Sequence, residues 1–473
     1  MTVDNASSSK LRSGLHKAVS PVKSCLNSII NSCCMHSKDF RISRLHSLGL
    51  SISLLYVSIN PHQFIPLALL HLISPFFISW ILYLMNAQKD NPKRLRVMGI
   101  PLPYIPLDPI RVLRINSIFW DTIESYFTGP YPEIAFRLYQ NRRRLQKRLH
   151  QKGSKFPIDI DFGGRNKVKL DIYTDVPDRF LKTPSVHGPL TGAKVIIFIY
   201  GGGWCTGDKS LYTLLGTTLN AKGYIVVIPN YSLWPTGSID DMVFDVHTAI
   251  EWTFNNISSY GGDVDNISIM AHSAGAHLSV LTMIHNSIRL SQARRDSKIK
   301  CSDPSDTLSC DSMSTESSDV MHRVHGMIMI SGPYDLADHV VFESSRGVDE
   351  LSCLERLFYH DKKQLDDASP TQLVPACLNY IDSDEFSKNF PVNWLIIHGE
   401  NDPVVPFSSS YKLYEALCKT EIDHIVLKSY TDTDHARIIF DLMVPDSCSD
   451  SDFGVELADF FQRCHRIRQH KGT

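Results

Sequence analysis

Residues 270–277 read Met270-Ala271-His272-Ser273-Ala274-Gly275-Ala276-His277, with a serine between small neighbours. The apolar run Ile267–His272 predicts a short buried strand, and the composition of Ala274–His285 predicts a helix. Ser273 therefore falls at a sharp corner where a strand passes directly into a helix. A corner of this kind lifts a serine hydroxyl clear of the backbone, which favours its use as a nucleophile.

The neighbours of Ser273 have the sizes that a tight corner requires. Ala271 and Gly275, two positions before and after it, are both small. Glycine is the usual residue where this chain has Ala271, so one methyl group has been added. The pentapeptide alone also fits an ordinary helix start that is capped by Ser273. Further parts of a catalytic site are needed to decide between the two interpretations.

Eight strand candidates and the helices between them predict the fold class. The candidates are Ile158–Phe162, Val168–Tyr173, Val195–Tyr200, Tyr224–Ile228, Ile267–His272, Gly326–Ile330, Trp394–His398 and His424–Ser429. Helical patterns separate most of the later ones, such as Ser238–Ile257, in which Met242, Val246, Ala249 and Thr253 share one face. This alternation predicts an α/β domain with a mostly parallel central sheet of about eight strands, covered by helices on both sides.

The chain divides into four predicted parts. These are a flexible basic arm at 1–44, an apolar membrane-anchoring region at 45–88, a linker and helical cap-like region at 89–155, and the α/β domain at 156–470. Within the last part, Ser291–Arg323 is rich in Ser and Asp and has no apolar period. We expect it to be a disordered insertion, since it has too little apolar surface to offset the entropic cost of ordering.

The apolar region predicts a membrane anchor. No Asp, Glu, Lys or Arg occurs from Leu45 to Met85, and Phe64–Met85 is long enough to cross a bilayer. Leu45–Ile59 is a shorter apolar run, so the region is either a two-span hairpin or an interfacial segment followed by one span. Basic residues flank both ends, which favours cytoplasmic ends and a domain that faces the cytosol. The alternative is a buried pair of helices.

Composition and charge limit the partners. The 473 residues include 48 Lys and Arg against 50 Asp and Glu, a formal net charge of -2 that disfavours a nucleic-acid role. The 11 cysteines are scattered, without Cys-x-x-Cys pairs, and indicate neither a disulfide framework nor a zinc site. A basic cluster at 142–148 predicts a solvated helix face, with contact to anionic headgroups as a secondary role. Oligomeric state is left open.

Candidates for the other parts of a serine hydrolase site follow predicted strands. Gly201-Gly202-Gly203 comes after Val195–Tyr200, so the backbone N–H groups of Gly202 and Gly203, with that of Ala274, can stabilise an oxyanion. The candidate acid is Asp402, with Glu400 and Asp335 as alternatives. The candidate base is His435, rather than His424 or His398, which belong to strands. The order Ser273, Asp402, His435 is that of the α/β-hydrolase fold.

Tyr200–Ile284 resembles the isoprenylcysteine methylesterase branch of the α/β-hydrolases. The residues that carry the resemblance are Gly201-Gly202-Gly203-Trp204, Asn230-Tyr231, Asp240-Asp241-Met242-Val243, Tyr260-Gly261-Gly262-Asp263 and Ser273-Ala274-Gly275-Ala276-His277. Ser331-Gly332-Pro333-Tyr334-Asp335-Leu336, Ser345-Arg346-Gly347 and the Asp402 segment extend it to about residues 160–465.

The resemblance implies a membrane-bound serine esterase that removes the methyl ester from C-terminal prenylcysteine, needs no cofactor or metal, and lies in endoplasmic reticulum or Golgi membranes. Trp204 and Trp234 are candidates to line its acyl or prenyl pocket, although core packing explains them equally well. Tyr200, Ala271 and Ser291–Arg323 depart from the family pattern. Lipid or sterol ester hydrolases and kynurenine formamidases share much of it, and a catalytically inactive binding module is the alternative from another class.

Overall fold

The computed structural model describes residues 65–128, 131–149, 157–174, 192–300, 320–431, 433–443 and 456–464. The basic arm at 1–44 and the apolar run Leu45–Ile59 lie outside the described residues. By internal contacts the chain forms two units, Met1–Tyr131 with Ser344–Leu351, and Pro132–Glu343 with Ser352–Thr473.

The described residues of the first unit form two helices and a short ribbon. They are α1 (Ile65–Asn86), β1 (Arg96–Val97), β2 (Ile100–Pro101) and α2 (Pro109–Thr128). Helices α1 and α2 pack together through buried polar groups as well as apolar ones, since Asn116 Nδ2 donates to Ser79 Oγ at 3.0 Å and to the carbonyl of Pro75 at 2.8 Å. Tyr83 is also fully buried, and its hydroxyl donates to Glu350 at 2.7 Å.

Helix α1 coincides with the predicted helix Phe64–Met85, but a membrane anchor there is not confirmed. Among the described helices, none is both long enough and apolar enough to cross a membrane.

The second unit contains the predicted sheet. Its strands are β3 (Ile160–Asp161), β4 (Lys169–Tyr173), β5 (Ala193–Ile199), β6 (Ile225–Pro229), β7 (Gly262–His272), β8 (Gly326–Ile330), β9 (Asn393–Gly399) and β10 (His424–Tyr430). They lie in the order β10-β9-β8-β7-β5-β6-β4-β3. Neighbours are parallel from β10 to β6, whereas β4 pairs antiparallel with β6, and β3 pairs antiparallel with β4. The α/β-hydrolase fold with a mostly parallel sheet of eight strands is therefore confirmed.

The remaining described helices follow α2 along the chain, and those between β5 and β10 connect successive strands of the sheet. They are α3 (Tyr131–Leu149), α4 (Thr213–Ala221), α5 (Ile239–Asn256), α6 (Ala274–Lys300), α7 (Leu336–Arg346), α8 (Leu354–Leu357), α9 (Lys362–Asp367), α10 (Pro370–Leu378), α11 (Ser383–Lys388), α12 (Phe407–Leu417), α13 (Arg437–Met443) and α14 (residues 456–464). Central strands are buried on both faces, which is why β5, β8, β9 and the second half of β7 are mostly apolar.

A local signal explains where α5 begins. Ser238 caps this helix in a reciprocal pair with Asp241, and the predicted apolar face of the helix is buried.

The basic cluster lies on α3. The side chains of Arg143, Arg144 and Lys147 are exposed there, as expected for a solvated basic face.

The predicted disordered insertion at Ser291–Arg323 is wrong at both ends. Helix α6 continues to Lys300, and a short 3-10 helix occupies Met321–Arg323. Ser287 and Ser291 lie on the buried face of α6, so the helical period continues with serines at positions where an apolar residue was expected. Residues 301–319 lie outside the described part.

Parallel pairing brings the carboxyl ends of six strands, β10 to β6 in sheet order, to one edge of the sheet. In register, Ala271 lies opposite Ile199, His272 opposite Ile330, and Tyr430 opposite Gly399. The segments that follow these strands carry the residues predicted to form a site, as is usual for ligand sites in open α/β sheets.

Candidate active site

Ser273 forms a strained corner between β7 and α6. Its φ is 53°, in the left-handed region that residues other than glycine rarely adopt, and its N–H donates to the carbonyl of Ile330 at 2.9 Å. A Cβ at Gly275 would lie 2.3 Å from the carbonyl oxygen of Tyr200, and one at Gly201 would lie 2.6 Å from the Cβ of Ser273. Small residues around the serine are therefore a steric requirement. Ala271, the departure from the usual glycine, is fully buried in β7.

The structure brings together the three residues predicted as a catalytic set. His435 Nε2 lies 2.9 Å from Ser273 Oγ, and His435 Nδ1 lies 2.7 Å from Asp402 Oδ2. A carboxylate only accepts hydrogen bonds, so Nδ1 carries the proton and Nε2 accepts from the serine hydroxyl. This is the arrangement in which an imidazole can remove a proton from a serine.

Asp402 is held in place by a second set of contacts. Its Oδ1 accepts the N–H groups of Val404 and Val405 at 2.8 and 2.9 Å, and His398 Nε2 lies 3.3 Å from its Oδ2. Burial opposes ionisation, but hydrogen bonds from His398 and His435 outweigh it and hold the pKa of Asp402 below its usual range. The carboxylate is therefore ionised at neutral pH.

The alternative acids and bases have other partners. Asp335 pairs with Lys412 at 3.3 Å and accepts the N–H of Asp338 at the start of α7. Glu400 accepts from Ser429 at 2.6 Å. His424 is an exposed residue of β10.

His272 has a positioning role that the sequence analysis missed. Its Nε2 lies 2.8 Å from the carbonyl oxygen of His435, so the imidazole must donate there. Burial, and then the nearby charge of His435, lowers the pKa of His272 to about 3, which keeps the ring neutral. No sequence signal marks this role, because the two residues lie 163 positions apart.

The glycine loop after β5 carries the predicted oxyanion donors. Gly202 and Gly203 have φ of 150° and 54°, and a Cβ at Gly202 would lie 2.0 Å from the carbonyl oxygen of Thr206. Only glycine therefore fits at 202. The third predicted donor, Ala274, begins α6, where the helix dipole favours a developing negative charge.

Tyr200, which stands where the related motif has histidine, is tied to the core beneath this loop. Its hydroxyl donates to Asn230 Oδ1 at 2.9 Å, its carbonyl accepts from the Tyr231 hydroxyl at 2.9 Å, and its ring stacks on Tyr231 and Tyr212. Burial raises its pKa well above the usual range, so the phenol stays neutral.

A pocket of about 320 Å³ opens at Ser273. Its lining residues are Gly201, Gly202, Gly203, Trp204, Tyr212, His272, Ser273, Pro333, His339, Glu343, Val404, Val405 and His435. Among the described residues, no group of three or more His, Cys, Asp or Glu could hold a metal ion.

The two predicted pocket tryptophans differ in position. Trp204 lines the pocket, and its indole N–H donates to His277 Nδ1 at 3.2 Å. Trp234 is absent from the described lining; its ring packs on the core and lies 4.8 Å from the guanidinium of Arg356. A substrate contact by Trp234 therefore finds no support in this pocket.

The chain is similar to known proteins over part of its length. The family model described as BD-FAE matches residues 184–417. A probable isoprenylcysteine alpha-carbonyl methylesterase of Oryza sativa is 37% identical over 131 residues, and one of Arabidopsis thaliana is 32% identical over 264 residues, or 54% of this chain. These alignments cover 28% and 46% of the two relatives, so the chain spans less than half of either.

More distant matches carry esterase names. Esterase LipC of Mycobacterium tuberculosis is 28% identical over 59% of this chain and 60% of its own length. Among solved structures, esterase B of Lactobacillus rhamnosis superposes with a TM-score of 0.48 and 15% identity, over 72% of this chain and 99% of that one. The resemblance to the isoprenylcysteine methylesterase-like branch of the α/β-hydrolases, which the motifs indicated, is confirmed by the curated relatives.

Proposed function

We propose that the chain is a serine esterase that acts through an acyl-enzyme. The observation that carries this proposal is the hydrogen-bonded set Ser273, His435 and Asp402 at 2.9 and 2.7 Å, at the mouth of a pocket. The esterase names of the relatives agree with it.

The residues have the following roles in the proposed reaction. Ser273 Oγ attacks the ester carbonyl while His435 Nε2 takes its proton, and the N–H groups of Gly202, Gly203 and Ala274 stabilise the oxyanion. His435 then gives the proton to the leaving alcohol, and an acyl-Ser273 ester remains. Water, deprotonated by His435, hydrolyses that ester and restores the serine. Asp402 stays ionised and holds the Nδ1–H tautomer throughout.

The proposed substrates are hydrophobic carboxylic esters, and first among them the α-carboxyl methyl esters of prenylcysteine, including those at the C-termini of prenylated proteins. The names of the plant relatives support this choice. Tyr212, Pro333, Val404 and Val405 also give the pocket apolar walls suited to such a group. A lipid or sterol ester is the second candidate, because the same apolar walls suit such a group.

We further propose that the enzyme is held at endoplasmic reticulum or Golgi membranes with its catalytic unit facing the cytosol. The charge-free stretch from Leu45 to Met85 and the basic residues on either side support this. Protease treatment of sealed microsomes tests it, since the catalytic unit should be digested without detergent. Full protection would contradict the orientation, and recovery in the soluble fraction would contradict the anchor.

Two experiments test the catalytic proposal. A fluorophosphonate probe should label the wild-type protein but not Ser273→Ala, and absence of labelling on folded protein would favour a binding module. Rates for farnesylcysteine methyl ester, a long-chain acyl ester, a sterol acetate and formylkynurenine should then be compared as kcat/KM. A preference for formylkynurenine would contradict the prenylcysteine assignment and leave the Ser273 mechanism intact.

A further inference from the structure

Helix α1 exposes large apolar side chains on one face. Their relative exposures run from 42 to 75%, and they recur at intervals of three or four positions, which places them on one side of the helix. Single exposed apolar residues are common on protein surfaces, but a continuous row of them on one helix indicates a contact surface. We call this row the apolar stripe, and its members are Ile73, Phe77, Ile81, Leu84 and Met85.

The opposite face of α1 is fixed by polar contacts within its own unit. Pro75, Ser79 and Tyr83 are buried there, two positions on from members of the stripe, which is a rotation of roughly 200° about the helix axis. Ser79 Oγ accepts from Asn116 Nδ2 at 3.0 Å. The Tyr83 hydroxyl donates to Glu350 at 2.7 Å. Rotation of α1 to bury the stripe would break these contacts, so the stripe faces outward.

The ribbon that follows α1 presents a second apolar surface. At the turn between β1 and β2, Met98 has a φ of 51° and is 98% exposed, and Val97 beside it is also exposed. Gln88 holds this ribbon to the helix, because its Nε2 donates to the carbonyls of Tyr83 and Tyr104 at 2.8 Å each. The exposed turn is therefore attached at the carboxyl end of α1.

Cations lie between the two apolar surfaces. From the end of α1 to the turn the sequence has four basic residues and one acidic residue, which are Lys89, Lys93, Arg94 and Arg96 against Asp90. Lys93 pairs with Glu350, and Lys89 and Arg96 are exposed. Basic side chains beside exposed apolar ones suit a membrane surface that contains anionic lipid. A second copy of the same surface would bring cations against cations, which disfavours self-association.

The partner of α1 argues against a helix that crosses the bilayer. Helix α2 lies along α1, since Asn116 contacts Pro75 and Ser79 and Arg111 contacts the Tyr83 hydroxyl. It carries four charged residues, which are Arg111, Arg114, Asp121 and Glu124. A crossing α1 with α2 attached would draw these charges toward the hydrocarbon, which is costly. A helix that lies in the plane of the membrane surface leaves α2 outside the hydrocarbon.

We infer that the apolar stripe of α1 and the turn at Met98 dock on one leaflet of a membrane that contains anionic lipid, with α1 lying in the plane of the interface. The stripe contacts the acyl chains, and the neighbouring cations contact the headgroups. The inference rests on the proposed membrane location and not on the proposed chemistry. It names the surface that makes the contact and the depth at which that surface lies.

Depth-dependent quenching on full-length protein in vesicles tests this inference. A fluorescent non-natural amino acid replaces Ile73, Ile81 or Leu84, one position in each variant, and replaces Val341, an exposed apolar residue of α7, as the control. The vesicles contain phosphatidylcholine and phosphatidylserine, and a nitroxide is attached either near the headgroup or near the end of the acyl chain. Thermal unfolding of each variant confirms that the protein is folded.

The three stripe positions should be quenched, and Val341 should not. The ratio of quenching by the shallow over the deep nitroxide should agree within about twofold at positions 73 and 84, because an in-plane helix holds both at one depth. In a crossing helix these positions would differ in depth by up to about 16 Å, and the two ratios would differ several-fold.

Unequal ratios overturn the inference in favour of a crossing helix. Absence of quenching at all three positions overturns it as well, and the oligomeric state then identifies the occupant. A dimer would assign the stripe to a second copy, and a monomer would assign it to another segment of the same chain.

Vesicle flotation gives a second, independent measurement. Ile81→Glu should weaken binding at least about tenfold and Val341→Glu less than about twofold, because only the first places a charge in the lipid-facing row. Wild-type binding should also weaken at least about tenfold on phosphatidylcholine alone. Equal binding to both lipid mixtures would overturn the role of the cations. Unchanged binding by Ile81→Glu would overturn the docking of α1, while the proposed membrane location would stand through another segment.

Discussion

His272 Nε2 lies 2.8 Å from the carbonyl oxygen of His435, so the residue before the nucleophile holds the loop that carries the base. The same loop places His435 Nε2 at 2.9 Å from Ser273 Oγ. His272, the last residue of β7, therefore holds the backbone of His435, and the next residue, Ser273, exchanges a proton with the His435 side chain.

Replacing His272 tests this relationship. We expect His272→Leu to lower kcat about 10- to 100-fold, because a displacement of about 1 Å in a catalytic group has an effect of this size. KM should change less than about threefold. In His272→Gln the side-chain amide can still donate to the carbonyl, so part of kcat should return. Steady-state kinetics on a soluble ester measure both, and equal losses in the two variants would contradict the positioning role.

Replacing Asp402 tests which nitrogen of His435 carries the proton. In Asp402→Asn the side-chain amide would donate to His435 Nδ1, so the proton moves to Nε2, which can no longer accept from Ser273. We expect kcat to fall by about 10³ to 10⁴. Burst and steady-state kinetics, with Asp335→Asn as the control acid outside the triad, measure this loss. A loss of kcat smaller than about tenfold would show that another residue orients His435.

The depressed pKa of Asp402 also predicts a pH dependence of stability. A carboxyl whose folded pKa lies below its unfolded value, about 3.9, stabilises the fold at higher pH and loses that contribution as the pH falls through the folded pKa. By this linkage, the extra unfolding free energy of wild type over Asp402→Asn should be constant from pH 5 upward and should fall only below about pH 4. Urea titrations at several pH values measure it.

Much of the fold could be predicted because its signals are local. Strands β5, β8, β9 and the second half of β7 are buried on both faces and are therefore mostly apolar, and α5 has an N-terminal cap and one apolar face. The end of α6 could not be predicted in this way. Ser287 and Ser291 occupy buried positions, and a serine gives the same polar signal whether a helix buries it or a loop exposes it.

The residues of the site also differ in whether local sequence signals predict them. Ser273, Asp402 and His435 could be found because each follows a predicted strand in a known order. His272 could not be found, because its significance depends on a contact with His435, 163 positions away in the sequence. Trp204 and Trp234 illustrate the limit, since both are tryptophans near motif residues and only Trp204 lies in the described pocket.

The corner at Ser273 predicts that alanine costs more stability at Gly275 than at Gly203. A Cβ at Gly275 would lie 2.3 and 2.4 Å from the carbonyl oxygens of Tyr200 and Ile199, whereas one at Gly203 would meet nothing within 4 Å. Gly275→Ala should therefore cost about 3 kcal/mol or more of stability, as forced overpacking of a core does. Gly203→Ala pays only for its positive φ, roughly 1–2 kcal/mol. Denaturant unfolding of both variants checks the order, and equal costs would contradict the steric account.

Cys205 lies just after the glycine loop and is predicted to be reactive at neutral pH. The neighbouring Cys353 thiol, which itself donates to the carbonyl of Gly203 at 3.0 Å, and the charge of Arg356 outweigh burial and lower the pKa of Cys205 to about 7. Because the thiolate is the nucleophile, alkylation of Cys205 by iodoacetamide should rise with pH through an inflection near that value. Cys353→Ala removes the neighbouring thiol and should move the inflection in the rate of Cys205 alkylation to higher pH. Mass spectrometry of the peptide that contains Cys205 follows its alkylation alone, and an inflection that does not move in Cys353→Ala would show that the neighbouring thiol has no part in it.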